Sequence, residues 1–203
     1  MLDVGCGTGR WSAALAERTA AVTAVEPVAE MREEARKRGV DAIAARAESL
    51  PFADGSFERA LLALVAHVVD RPRALGEVRR VLEDVGRVAI VTFDRAQFER
   101  YYLNRFFPSL REIDDARFPD RATLARELVV AGFEPRFVDH RQHSVHAREW
   151  VLERLRGRFI STLQRLSAAE FEEGVARAER ELPDSVEAEQ HWLLAVGSVR
   201  PPL

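Results

Sequence analysis

The chain has one cysteine, Cys6, and one lysine, Lys37, in 203 residues. A single thiol can neither close an intrachain disulfide nor build a thiolate-rich metal site, so a reducing compartment is the expectation. Arginine therefore carries almost all the positive charge, and a net charge of −3 gives no broadly basic surface for nucleic acid. Long apolar runs are missing as well: none reaches the length that crosses a membrane. No secretory leader is read ahead of the first strand, which makes the cytoplasm the expected location. Histidine is scarce, and three of the five, His140, His143 and His146, follow one another at three-residue spacing. Strand alternation would put His143 on the opposite face from the other two, so no metal site is expected. No internal repeat, low-complexity tract or long linker divides the chain. With an apolar content of 47%, it is expected to fold as one domain, 1–203, around a sizeable core.

What is present is an alternation of apolar runs and amphipathic stretches. Residues 20–25, 41–45, 57–65 and 87–93 read as buried strands, and residues 28–38 and 73–83 as helices. Repeated β-α units of this kind argue for a mostly parallel sheet covered on both faces. The rhythm then changes. An aromatic-rich segment from Phe93 to Phe107 precedes a helix over 121–131, closed by Gly132 at a C-terminal cap position, and a strand over 133–138. Residues 147–166 and 168–182 read as helical, the second with Ser167 as N-cap and Glu170 three residues on. A last apolar strand covers 191–199.

The densest signal is at the start, where MLDVGCGTGR runs from a strand into a turn with Gly5, Gly7 and Gly9 and then into a helix. Alternating glycines let a backbone turn sharply or approach a ligand closely, and the helix start turns N–H groups toward whatever the turn holds. A carboxylate or phosphate would suit that position. Glu26 ends the next strand, seventeen residues beyond Gly9. In an open α/β sheet, ligands lie beyond the carboxyl ends of the strands, so Glu26 would share the crevice with the turn and accept from both hydroxyls of a ribose. A dinucleotide site and an S-adenosylmethionine site both satisfy this much. The spacing separates them: a dinucleotide fingerprint has its third glycine three residues after the second, where this chain has Arg10.

The pattern DVGCGTG, with Asp3 ahead of the first glycine, resembles class I S-adenosylmethionine-dependent methyltransferases, in particular the small-molecule branch with the ubiquinone and menaquinone methyltransferases. Met31, Ala35 and Arg36 match the helix after the ribose acid. ARAESLPFADGSFERA over 45–60 and LVAHVVDRPRALGEVRRVLEDVGRVAIVTFD over 64–94 match the family's third loop through its fifth strand. The resemblance implies a Rossmann-like, doubly wound α/β fold with seven strands in the order 3-2-1-4-5-7-6, the seventh antiparallel, and helices on both faces. It implies a cofactor half over 1–94 and an acceptor half over 95–203, with a helical insertion at about 147–182.

For the site, the resemblance implies that Asp3, Gly5, Cys6, Gly7 and Gly9 form the methionine end, with Asp3 orienting the loop and the bound amino group. Glu26 would bind the ribose, Met31, Ala47 and Glu48 would flank the adenine, and Leu64 to His67 would line the gap between sulfonium and acceptor. His67 is either a base for an oxygen or nitrogen acceptor or a wall of the pocket. Tyr101 and Tyr102 are either acceptor contacts or core, and Trp150, on the helical insertion, would cap the acceptor pocket, or the insertion's apolar positions would support a dimer. The expected partner is a small molecule, not nucleic acid or membrane, and the expected state a monomer or homodimer. Two departures stand out. Arg46 occupies the position where many relatives have an acid for the adenine amino group, and it cannot accept a hydrogen bond; either Ala47 backbone groups hold the adenine with Arg46 in solvent, or affinity is weakened. Glu83-Asp84-Val85-Gly86 replaces the usual basic-Pro-Gly-Gly turn. Relatives also carry helical residues before the first strand, where Met1 and Leu2 alone precede Asp3 here, so a more exposed, less tightly held cofactor is expected. The alternatives are a methyltransferase-like binding protein with weakened or lost catalysis, and an NAD(P)-binding oxidoreductase.

Overall fold

The computed structural model describes residues 1–18 and 21–200. Its contacts divide the chain into two compact units.

Unit 1 comprises Met1–Thr92, Pro119–Val138 and the chain from Leu193 on. It begins with β1 (Leu2–Val4), α1 (Arg10–Ala16), β2 (Thr23–Val25), α2 (Ala29–Lys37) and β3 (Phe57–Ala63). Then follow α3 (Arg71–Val81) and β4 (Leu82–Phe93), which follows the helix without a loop. β1 pairs in parallel with β2 on one side and β3 on the other, and β3 pairs in parallel with β4. The chain thus moves outward from β1 to β2 and returns to β3 on the opposite side, which makes the carboxyl ends of β1 and β3 the switch point. α3 owes its start to Asp70, whose side chain accepts from the Arg73 N–H, and buries Ala74, Leu75, Val78 and Val81. α6 (Arg121–Val130) is capped the same way by Asp120 onto the Thr123 N–H at 2.7 Å, and buries Leu124 and Leu128. With Leu2, Val4, Leu62, Val88, Ile90 and Phe133 these form one continuous core.

Six strands lie in the order β2-β1-β3-β4-β6-β5, with β5 spanning Phe133–Ala147 and β6 Ser185–Val199. The Asp94 N–H donates to the His191 oxygen, while Val88 lies against Gly197, so numbers fall along β6 as they rise along β4 and β6 runs antiparallel. The expected order is therefore present with one correction. Residues 41–45 form a single bridge, Ile43 to Val25, in place of a third strand. Two backbone bonds, Ile43 N–H to Ala24 oxygen and Glu26 N–H to Ile43 oxygen, hold that edge in position, but a run of alanines around one β-branched residue gives no side-chain packing to extend it. Of the strand expected over 20–25, residue 20 lies outside the described residues.

Unit 2 comprises Phe93–Phe118 and Asp139–Trp192. It holds α4 (Ala96–Glu99), a 3-10 turn (Tyr102–Arg105), α5 (Leu110–Arg117), α7 (Arg148–Arg156), a second 3-10 turn (Leu163–Arg165) and α8 (Ala168–Glu181). Leu103, Phe106, Phe107, Leu110, Leu152, Leu155, Leu163 and Ala178 form its own core. Gly174 of α8 is required there, because a Cβ would stand 2.2 Å from the Phe107 ring. The Ser167 cap is made, its hydroxyl accepting the Glu170 N–H at 3.1 Å. The helix expected over 147–166 instead stops at Gly157, since Arg158 takes a left-handed backbone with φ 48°. β5 and β6 also run further than expected, to Ala147 and from Ser185, as a polar pair bonded at Ser144 to the Ala188 oxygen.

Candidate active site

The turn after β1 is fixed by its own backbone. The Gly5 and Cys6 N–H groups both donate to the Val25 oxygen, at 2.8 and 3.0 Å, tying the turn to the end of β2. All three glycines have positive φ, yet they serve different ends. A Cβ on Gly5 would stand 2.6 Å from Val65 Cγ2, and one on Gly9 would stand 3.0 Å from Ala35 Cβ of α2, so these two are glycine because protein packs onto them. A Cβ on Gly7 would meet nothing within 4 Å. Gly7 is the position of the turn that faces open space.

Glu26 closes the turn from the other side. Its Oε2 accepts the Gly7 N–H and its Oε1 the Val28 N–H, both at 3.0 Å, which fixes a nearly buried carboxylate while each oxygen keeps a further lone pair. Asp3 is fully buried on β1. Ser12 Oγ of α1 donates to Asp3 Oδ2 at 2.5 Å, and Asp3 Oδ1 is buried with no hydrogen-bond partner among the described residues. Burial raises the Asp3 carboxyl above the ordinary carboxylate range; the Ser12 bond pulls it down and the Glu26 charge pushes it up. Two carboxylates therefore converge on one turn, and among the described residues neither is in a salt bridge. Ser12 was not legible as a site residue, because a serine in a short helix reads as surface.

Cys6 is buried, and burial with the Asp3 and Glu26 charges pushes its thiol up to about 12. At neutral pH it is an unreactive wall.

The segment after β3 meets the turn through Val65. Leu64 leaves the strand with φ 55° while its N–H donates to the Val91 oxygen of the neighbouring β4 at 2.8 Å, a left-handed leucine held by that strand. His67 is half-buried in the turn that follows. Glu48 Oε1 accepts the Asp70 N–H at 2.9 Å and so binds the third loop to the end of this segment. Arg46 lies 3.4 Å from Glu48 with its side chain 70% exposed to solvent. Ala47 is buried in the core, and Met31 stands 43% exposed on α2.

Tyr101, Tyr102 and Trp150 belong to unit 2. The tyrosine rings contact each other at 5.3 Å and pack on that unit's core; Phe106 and Phe107, from the same aromatic run, are fully core. Trp150 is 44% exposed on α7 and stacks on His146 at 4.1 Å. Among the described residues no group of histidine, cysteine or carboxylate side chains could hold a metal ion, and no helix is long and apolar enough to cross a membrane.

A methyltransferase-domain family matches residues 2–90. Over 167 residues the chain is 32% identical to the demethylmenaquinone methyltransferase of Clavibacter sepedonicus, covering 70% of this chain and 67% of that protein. It belongs to the S-adenosylmethionine-dependent methyltransferase family. Uncharacterized methyltransferases of Mycobacterium bovis and Mycobacterium tuberculosis are 40% identical over 93 residues, which is 45% of this methyltransferase-family chain but only 38% of theirs. A Thermotoga maritima structure described as a S-adenosylmethionine-dependent methyltransferase, possible histamine N-methyltransferase, superposes with a TM-score of 0.61 at 26% identity, covering 98% of this chain and 81% of that one. The acceptor oxygens of unit 1 fit the family's cofactor. The unpartnered Asp3 oxygen suits an ammonium group, the remaining Glu26 lone pairs suit ribose hydroxyls, and Gly7 leaves the space for them.

Proposed function

We propose that the chain is an enzyme that transfers a methyl group from S-adenosylmethionine to a small-molecule acceptor by in-line displacement. The observation that carries this reading is the turn itself: open at Gly7, closed by Glu26, and underlain by a buried carboxylate oxygen that lacks a donor among the described residues. When bound, the sulfonium supplies an already activated methyl group. The chain's residues then have to bind, orient and exclude water, and positioning of this kind is worth up to roughly 7–11 kcal/mol.

In this reading Asp3 takes the amino group, Gly5, Cys6, Gly7 and Gly9 form the wall around the methionine end, and Glu26 accepts from the ribose. Met31, Ala47 and Glu48 flank the adenine. Leu64 borders the reacting methyl, and His67 removes a proton where the acceptor is O–H or N–H. The compartment is the cytoplasm, the partner is a small molecule, and the protein works as a monomer or homodimer.

Calorimetric titration with S-adenosylmethionine and its demethylated product tests the reading. Binding should raise the unfolding temperature, and Glu26→Ala should weaken it by roughly tenfold or more, as expected for loss of charge-assisted hydrogen bonds. An absence of heat and of any thermal shift at high micromolar ligand would overturn it.

A further inference from the structure

The segment between β3 and α3 carries Leu64 and His67, which the proposed reaction uses, yet it belongs to no strand or helix. Its first residue hangs from β4 by the Leu64 N–H on the Val91 oxygen, and a turn is closed by the Val68 N–H on the Val65 oxygen at 2.9 Å. Val65 is the side chain that packs on Gly5, so the seat of this turn sets one wall of the glycine turn. A further tie reaches it from α3 and α6.

Arg71, the first residue of α3, donates Nε to Glu127 Oε2 of α6 at 2.7 Å and Nη2 to Glu127 Oε1 at 3.1 Å. Its third nitrogen, Nη1, donates to the Ala66 oxygen at 3.2 Å. The two side chains are only 25% and 16% exposed. An ion pair withdrawn this far from water adds little stability over an apolar pair of similar volume. The two helices do not need it to pack, since Leu75, Val78, Leu124 and Leu128 already join one core. What an apolar pair could not supply is a donor for Ala66, a residue buried in the same core. The guanidinium is a rigid fork, so once Glu127 holds two of its nitrogens the direction of the third is set.

We propose that Arg71 and Glu127 are positioning residues. Glu127 orients the guanidinium, Nη1 holds the Ala66 carbonyl, and the held turn seats Val65 on Gly5 and fixes Leu64 and His67. The role at a cofactor site rests on the methyl-transfer reading; the clamp on the turn does not.

The test compares Arg71→Met, Glu127→Met and the double variant with the wild-type full chain, by thermal unfolding, by calorimetric titration with S-adenosylhomocysteine and by amide exchange without ligand. Each single variant should unfold at a lower temperature, because it strands the other charge away from water. Each should also bind S-adenosylhomocysteine roughly threefold or more weakly, as the carbonyl loses its donor. The double variant removes both charges and should recover most of the unfolding temperature, yet its affinity should stay as low as that of Arg71→Met. Its exchange should quicken at Leu64 and Val68, whose N–H groups hold the turn, and not at Val78 or Leu128 inside the helices. Wild-type affinity in the double variant, or unchanged exchange at Leu64 and Val68, would overturn the proposal and leave the pair a strut between helices. A wild type that ignores S-adenosylhomocysteine would sink the methyl-transfer reading instead, and exchange at Leu64 and Val68 would then decide the clamp by itself.

Discussion

Asp3 sits on β1 with one oxygen bonded to Ser12 and the other bonded to nothing among the described residues. A carboxyl whose folded pKa is raised favours the folded state in its protonated form. That contribution is full below the unfolded value of 3.8 and is lost as pH rises through the higher folded value. In the empty protein, ionising Asp3 therefore costs stability. Asp3→Asn removes the charge while keeping the shape, so it should stabilise the unliganded protein by about 1 kcal/mol, roughly 2–4 °C in Tm. The gain should vanish below pH 3.8. The same variant should bind S-adenosylhomocysteine more weakly; thermal unfolding with and without ligand reads both effects. Asp3, the glycines and Glu26 were legible in the sequence because strand, turn and strand end are written contiguously. Which glycine meets protein and which meets space was not, since Val65 approaches Gly5 from sixty residues away.

At the scale of elements, α3 does more than cover the sheet. Its Glu77 receives the Leu50 N–H at 2.8 Å and both Nε and Nη2 of Arg80; Nη2 also donates to the Leu50 oxygen, and Nη1 donates to the Phe52 oxygen and to Asp54 Oδ1. One helix face thus fixes the loop that leads from Ala47 and Glu48 into β3. The Arg80 bonds hold the Glu77 carboxyl down at about 2. A lowered acid stabilises the fold above its unfolded value of 4.5, and that contribution is lost as pH falls through about 2. Glu77→Gln should destabilise by about 2 kcal/mol at neutral pH, and the difference from wild type should shrink in acid over that window, as chemical denaturation at several pH values will register. Helix positions were legible because Leu75 and Val78 recur at helical spacing. The arms of β5 and β6 beyond residues 138 and 192 were not: His140, Gln142, Glu187 and Glu189 are exposed, and a polar strand pair leaves no apolar alternation to read.

For the molecule as a whole, two separate cores stand where composition suggested one. Each buries enough leucine, valine and phenylalanine to behave as a cooperative unit of its own. Hydrogen exchange followed peptide by peptide should show S-adenosylhomocysteine slowing residues 5–9 and 26–28, where backbone N–H groups build the turn and bind Glu26. The core of unit 2 around Phe107 and Leu155 should be unaffected. Uniform protection across both units would contradict this.

The two units are interleaved along the chain, three stretches for unit 1 and two for unit 2. No single cut releases either one. Recombination that brought in a different unit 2 would have to replace two segments at once, splicing inside or beside β4, β5 and β6 and preserving their register at every junction. A lineage with this architecture is therefore pushed to change unit 2 by point substitution more readily than by exchange of modules.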